Sequence, residues 1–263
     1  MPSPSLPQEI LDHIIDTLQD NPKTLQDCCL VAKSWIPRSR KHLFFDIHFY
    51  SSKRLESWKK TFPDPSNSPA CYARSLLVAC LEVIRAEDAA EGGWITSFSG
   101  VVRLELEACE ETLEDPETSL VPFHKFSLAL KSLNVDLMTL PCSQFFKLVY
   151  SFPLLEDLFV ICQFLDDDDD PRAVLPSSSP PFTGSLKLTL PSGSESMARQ
   201  LLDLSGGLRF RTLELLWNTE EDTQWVRGLV SACSNTVESL IVTRLLSGMF
   251  IFIPYRTLSE LYF

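Results

Sequence analysis

VVRLELEAC, residues 101–109, sets apolar side chains at Val101, Leu104 and Leu106 and interleaves Glu105 and Glu107. Alternation of this kind places Leu104 and Leu106 on one face of a strand and the two glutamates on the other. The spacing apolar-x-x-apolar-x-apolar returns at Phe44/Ile47/Phe49, Ala73/Leu76/Val78, Leu130/Leu133/Val135 and Leu155/Leu158/Val160, and less cleanly around Leu186/Leu188. It recurs at Phe210/Leu213/Leu215, Val237/Leu240/Val242 and Leu258/Leu261/Phe263. Between middle residues the steps are 29, 28, 29, 25, 28, 27, 27 and 21. Composition alone yields the triple at roughly one position in twelve. Near-constant spacing is not supplied by composition, and it marks a repeat array.

Helical spacing fills the gaps. Leu55, Trp58 and Phe62 share one face, as do Phe145, Leu148 and Val149, then Met197, Leu201 and Leu204, then Trp225, Leu229 and Val230. Each unit is therefore expected to be a strand followed by a helix. Successive strands joined this way run parallel with right-handed crossovers. A doubly wound α/β sheet would also alternate strands and helices, but it uses Gly-rich strand-to-helix turns. Only nine glycines are present, none in G-x-G-x-x-G or G-x-x-x-x-G-K order.

The first 45 residues follow another pattern. LPQEILDHIID has apolar residues at Ile10, Ile14 and Leu18 and again at Leu11, Ile15 and Leu18. Two adjoining stripes make a helix apolar over a wide arc, one side for a small core and the other for a partner. Pro7 suits the first turn, Asn21-Pro22 supplies a stop, and Thr24 with Asp27 forms a capping-box-like start for a second helix. In that helix Leu25, Cys28, Cys29, Ala32, Trp35 and Ile36 share a face, leaving Leu30 and Val31 on another. A third short helix is expected from about Pro37 to Phe44, leading directly into the first strand.

The order Leu6-Pro7-x-Glu9-Ile10 and then Cys29-Leu30-Val31-x-Lys33-x-Trp35 resembles the F-box, especially that of the large fungal set. The resemblance covers about one sixth of the chain. It implies a three-helix module that binds the Skp-type adaptor of a cullin ubiquitin ligase, with the rest of the chain choosing the substrate. Carried over by motif position, Leu6, Pro7, Ile10, Ile14, Leu30, Val31 and Trp35 would face the adaptor or support that interface. The following segment resembles an irregular leucine-rich-repeat array, and VVRLELEAC, ending at Cys109, comes closest to the Leu-x-Leu-x-x-Asn/Cys signature. The expected fold is thus α/β. A three-helix F-box at 1–45 precedes a leucine-rich-repeat horseshoe at 46–263, with parallel strands inside and helices outside. The expected function is substrate recognition within a Skp–cullin–F-box ligase. The alternative is a leucine-rich-repeat binding protein acting outside any ligase.

Composition bounds the partners. Residues 1–65 carry a net charge of +1 and residues 66–263 carry −13, which together give the −12 of the chain. An acidic surface repels phosphate backbones and anionic headgroups, so neither nucleic acid nor membrane is expected as a partner, and a basic protein target is favoured. The longest apolar candidate, Leu245 to Ile253, is too short to span a bilayer, and no basic segment precedes a hydrophobic one near the N-terminus. Cys28, Cys29, Cys71, Cys80, Cys109, Cys142, Cys162 and Cys233 lie mostly in apolar segments, so reduced buried thiols and a cytoplasmic or nuclear location are expected.

Strand alternation assigns the candidate target face. Glu105, Glu107, Asp136, Phe159, Ile161, Leu216 and Ile241 should face outward on the concave side, with Asn134, Lys187, Thr189, Glu214 and Thr243 beside them. Asp166 to Asp170 and the prolines and serines up to Pro181 read as a solvated acidic loop, because an EF-hand needs alternating acids, a central Gly and a terminal Glu. No catalytic residue, metal site or cofactor site is expected. His13, His42, His48 and His124 lie in no zinc-binding spacing, and no G-x-S-x-G turn occurs. Leu258 to Phe263 is expected to form a last strand without a capping unit, either because the chain end is incomplete or as an association-prone edge.

Overall fold

The computed structural model describes residues 6–79, 81, 84, 93–107, 120, 123, 126–165, 183–190, 195–203, 207–217, 223–246 and 249–255. Among them, nine strands form one sheet whose spatial order is the chain order: β1 Asp46–Phe49, β2 Ser75–Val78, β3 Arg103–Glu107, β4 Ser132–Pro141, β5 Asp157–Leu165, β6 Ser185–Leu190, β7 Thr212–Trp217, β8 Ser239–Leu246 and β9 Met249–Tyr255. The pairs from β1 to β8 are parallel. Their register aligns Ile47, Leu76, Leu104, Leu133, Leu158, Leu186, Leu213 and Leu240, the middle residues of the repeated triple. All eight are buried in one continuous core.

The loop before each strand repeats as well. The Phe45 carbonyl accepts from the N–H groups of Arg74 (2.8 Å) and Ser75 (3.1 Å), and the Arg74 carbonyl from those of Val102 and Arg103. The carbonyls of Val102, Lys131, Gly184 and Arg211 each receive the equivalent two bonds from the next unit. At Gly184 itself a Cβ would lie 2.0 Å from the Glu156 carbonyl oxygen, so the approach of these two turns requires glycine.

Helices pack on the core side. α4 Ser52–Thr61, α5 Cys142–Tyr150, α6 Glu195–Leu202 and α7 Thr223–Ala232 bury Leu55, then Phe145, Leu148 and Val149, then Met197 and Leu201, then Leu229 and Val230 against the strands. Trp58 and Trp225 pack partly buried on the same core. Phe62 lies just past α4, its ring 4.7 Å from that of Trp58, while Leu204 falls outside the described residues. Between β2 and β3 the described residues include a 3-10 turn, Ile95–Phe98, whose Ile95 and Phe98 enter the core beside Phe49 and Trp94; residues 80, 82, 83 and 85–92 of that gap, where a helix is expected, lie outside the described residues.

The sheet is not wholly parallel. β9 pairs antiparallel with β8, Val242 opposite Ile253 and Leu246 opposite Met249. The stretch Leu245 to Ile253 thus ends one strand and begins another, and it is not a single apolar segment. The strand expected at Leu258 to Phe263 lies outside the described residues, as do Asp166 to Asp170, the loop up to Pro181, Cys80, Cys109 and His124.

Three helices precede β1: α1 Gln8–Asp16, α2 Pro22–Val31 and α3 Ile36–Leu43. Pro7 is the residue before α1 rather than part of its first turn. Asn21 does not stop a helix but starts one: its side chain accepts from the Thr24 N–H at 3.1 Å, and Pro22 occupies the first helical position. With that cap in place the Thr24/Asp27 box is not needed. α2 ends where Ala32 turns extended (φ −156°, ψ 150°), so Trp35 sits in a short 3-10 turn, Lys33–Trp35, and Ile36 begins α3. Ile15, Leu25 and Cys28 are the buried apolar residues of this bundle. Phe44 joins it to the sheet, edge-on to Trp58 at 6.1 Å and Phe62 at 6.3 Å.

Among the described residues six cysteines form no disulfide. Cys28, Cys142, Cys162 and Cys233 are buried and Cys29 partly so, but Cys71 is exposed, contrary to the expectation of burial.

Candidate functional site

Two surfaces collect the residues singled out from the sequence. The first is on the bundle. The doubled stripe of α1 divides: Ile15 is fully buried and Leu11 and Leu18 half-buried, while Ile10 and Ile14 are 48% and 41% exposed. Leu30 at 85% and Val31 at 65% are more exposed still, because the extended Ala32 ends α2 just after them. Leu6 and Pro7 are exposed, and Trp35 is half-buried. Water-exposed aliphatic residues on a helix pair with its own small core are the features of a partner-facing surface.

α1 is held to α3 by a charged cluster. The Asp16 carboxylate accepts from Arg38 through Nε at 2.6 Å and through Nη2, and His42 Nε2 lies 2.7 Å from Oδ1. Hydrogen bonds from Arg38 and then His42 hold the Asp16 carboxyl well below the usual carboxylate range. At the other end of α1, Gln8 Nε2 donates to Asp12 at 2.7 Å. These contacts hold Ile10 and Ile14 in position on α1. The cluster leaves no pattern along the chain, since Asp16 lies on α1 and its partners Arg38 and His42 lie on α3, 22 and 26 residues away.

The second surface is the sheet face opposite the described helices. Register places His48, Leu77, Glu105, Asn134, Phe159, Lys187, Glu214 and Ile241 in one row. Glu107, Asp136, Ile161, Thr189, Leu216 and Thr243 form the next. All seven candidate target residues therefore share one face. Asp136 is exposed, and Glu105, Glu107, Phe159, Ile161, Leu216 and Ile241 are half-buried.

This face has an acidic side and an apolar side. Burial, then the adjacent Asp136 and Glu105 charges, push the Glu107 carboxyl above its ordinary range, and His48 partly offsets the shift. Further along, Lys187 Nζ sits 4.9 Å from the centre of the Phe159 ring and 2.8 Å from Glu214 Oε1. Lys187 thereby covers part of Phe159, which is why that ring is not fully open. Asn134 Oδ1 lies buried between the two sides with no hydrogen-bond partner among the described residues.

Sequence reasoning began this face at Glu105 and missed its first strand. His48 on β1 contacts Asp46 through Nε2 at 3.0 Å, and its Nδ1 lies 2.9 Å from the Tyr50 hydroxyl. The triple Phe44/Ile47/Phe49 already implied that His48 points outward.

Among the described residues no group of three or more His, Cys, Asp or Glu is placed to hold a metal ion, and no helix is long and apolar enough to cross a membrane. Comparison of the sequence with protein-family profiles and with curated proteins finds no match.

Proposed function

We propose that the chain is the substrate-recognition subunit of a Skp–cullin–F-box ubiquitin ligase, with α1 to α3 as the F-box and the strand–helix units as a leucine-rich-repeat horseshoe. The observation that carries this reading is the joint exposure of Leu6, Ile10, Ile14, Leu30 and Val31 on a bundle that has its own buried core. These are the positions at which the F-box resemblance puts adaptor contacts. Full burial of one aliphatic side chain contributes about 1.5–3 kcal/mol, so four or five suffice for a specific interface. The target is a protein segment bearing lysine or arginine, drawn to Glu105, Glu107 and Asp136 and packed on Phe159 and Ile161. Ligation chemistry then depends on effective concentration, because the chain only holds target and ligase together.

A second reading is favoured by Phe44, whose ring packs edge-on against both Trp58 and Phe62. Here the bundle caps the first repeat, and the chain is a leucine-rich-repeat binding protein outside any ligase. Gel filtration of the purified full chain with a purified Skp-type adaptor separates the two. Co-elution as a one-to-one complex is expected; separate elution at micromolar concentration supports the capping role instead.

A further inference from the structure

β9 ends the sheet: it pairs with β8, and among the described residues no strand lies on its other side. Backbone groups alternate in direction along a strand, so each residue of an edge strand turns its N–H and C=O either into the sheet or out of it. Two observations fix which residues of β9 turn outward. Pro254 lies opposite Ile241 and has no N–H to exchange, so this pair is of the non-hydrogen-bonded kind. On β8, the Ser239 N–H donates to the Arg211 carbonyl at 3.0 Å, so its odd-numbered residues point toward β7 and Leu240, Val242, Arg244 and Leu246 point toward β9. Both observations give the same result. Met249, Ile251, Ile253 and Tyr255 bond to β8, while Phe250, Phe252 and Pro254 present their backbone groups to the free edge.

The two ends of the sheet are guarded unequally. β1 has four residues, and the carbonyls of Phe45 and Phe49 both bond toward β2, so Asp46 and His48 are the ones that turn to its free side. Their side chains contact each other at 3.0 Å. A short strand with a charged pair at its edge resists strand addition. β9 has seven residues, Met249–Tyr255, and none of them is charged. Pro254 removes one outward donor and leaves those of Phe250 and Phe252 in place.

We propose that the free edge of β9 pairs antiparallel with β9 of a second copy of this chain, about a two-fold axis at Ile251. Phe250 of each copy then lies opposite Phe252 of the other, and each of the two pairs exchanges two N–H···O=C bonds, which uses all four outward donors. The occupant is a second copy because the edge is its own complement: the N–H and C=O groups of Phe250 and Phe252 are spaced symmetrically about Ile251, as an isologous contact requires. Each chain carries a net charge of −12, which opposes association, but the joining segments are uncharged, so no like charges meet across the new ladder. With β1 guarded, each chain has one open edge, and pairing stops at a dimer instead of continuing into a fibre. This inference goes beyond the ligase reading and does not depend on it.

Analytical ultracentrifugation of the full chain over about 1–200 µM, a range suited to a small interface, tests it. A monomer–dimer equilibrium is expected. Phe252→Pro removes an outward donor without touching a bond to β8 and should weaken dimerisation at least about tenfold, whereas Phe252→Val keeps the N–H and should weaken it less than about threefold. Residue-resolved amide hydrogen exchange is a second readout that needs no variant. Protection of the Phe250 and Phe252 amides should rise with protein concentration, while that of Ile251 and Ile253, already bonded to β8, should change little. A monomer across the whole range, assemblies larger than a dimer, or equal losses in the two variants overturns the proposal. Protection of Phe250 and Phe252 that is independent of concentration also overturns it, and would mean that the edge is covered within the chain.

Discussion

Replacing Leu104 by alanine, and separately Glu105, tests the strand register that organises the whole sheet. Leu104 is fully buried between Leu76 and Leu133, whereas its neighbour Glu105 points to the opposite face with Asn134 beside it. Truncating a buried leucine costs its transfer free energy and leaves a cavity, about 2–5 kcal/mol together. For a domain of this size that is roughly 4–20 °C in thermal midpoint, at about 2–4 °C per kcal/mol. Glu105→Ala removes a carboxylate from a surface already crowded with Glu107 and Asp136, so its effect should stay within about 0.5 kcal/mol, with stabilisation the favoured sign. Both are measured by thermal unfolding followed by circular dichroism under one buffer. A Glu105→Ala loss equal to or larger than that of Leu104→Ala would mean that the strand faces are exchanged, and the assignment of the outward rows would fall with it.

Further outcomes follow from single contacts. Gly184→Ala should lower the thermal midpoint more than Gly207→Ala, because the new Cβ meets the Glu156 backbone in the first case and open space in the second, where the left-handed φ of 67° is the sole cost. Glu107 binds protons more readily folded than unfolded, so stability should fall as pH rises through its titration; Glu107→Gln should flatten that segment of a urea-midpoint-versus-pH curve and raise stability at pH 7. Asp16 has the opposite sign. Its contribution is present above the ordinary carboxylate range and lost as pH falls below it, and Asp16→Asn should abolish that acid-side loss. Burial pushes the Cys162 thiol up to about 12 and Cys233 up to about 11, so in the folded chain a disulfide reagent at pH 8 should label exposed Cys71 while sparing both until urea is added.

Most of the sheet was legible in the sequence because its signal is periodic. Ile47, Leu76, Leu104 and their successors repeat at 25 to 29 residues, and the hydrogen-bonded register aligns them strand to strand, shifting only beyond the repeated triple, at Leu137/Thr139 between β4 and β5. Elements that depart from the period were not legible. β8 and β9 pair antiparallel, and two apolar strands that close together in sequence leave no polar gap from which to read the change of direction. Local capping is not legible at Asn21-Pro22, since the same dipeptide can end one helix or begin the next, and the side-chain bond to Thr24 decides which. On the outward face, the identities of Phe159, Lys187 and Glu214 were legible but their coupling was not. It depends on lateral neighbours about 28 residues apart, and only the register brings Lys187 between the ring and the carboxylate.

The proposed docking face requires Ile10 and Ile14 to be contact residues and not core. Ile10→Asp with Ile14→Asp leaves buried Ile15 and the Asp16–Arg38 contact in place, so the bundle should keep its helical signal. Titration calorimetry of this double variant against a Skp-type adaptor is the direct measurement. Two desolvated carboxylates in place of two buried isoleucines should weaken binding by at least about 100-fold, at about 1.4 kcal/mol per factor of ten. Binding at the unsubstituted affinity, with the fold intact, would contradict the docking face and leave the bundle as a cap.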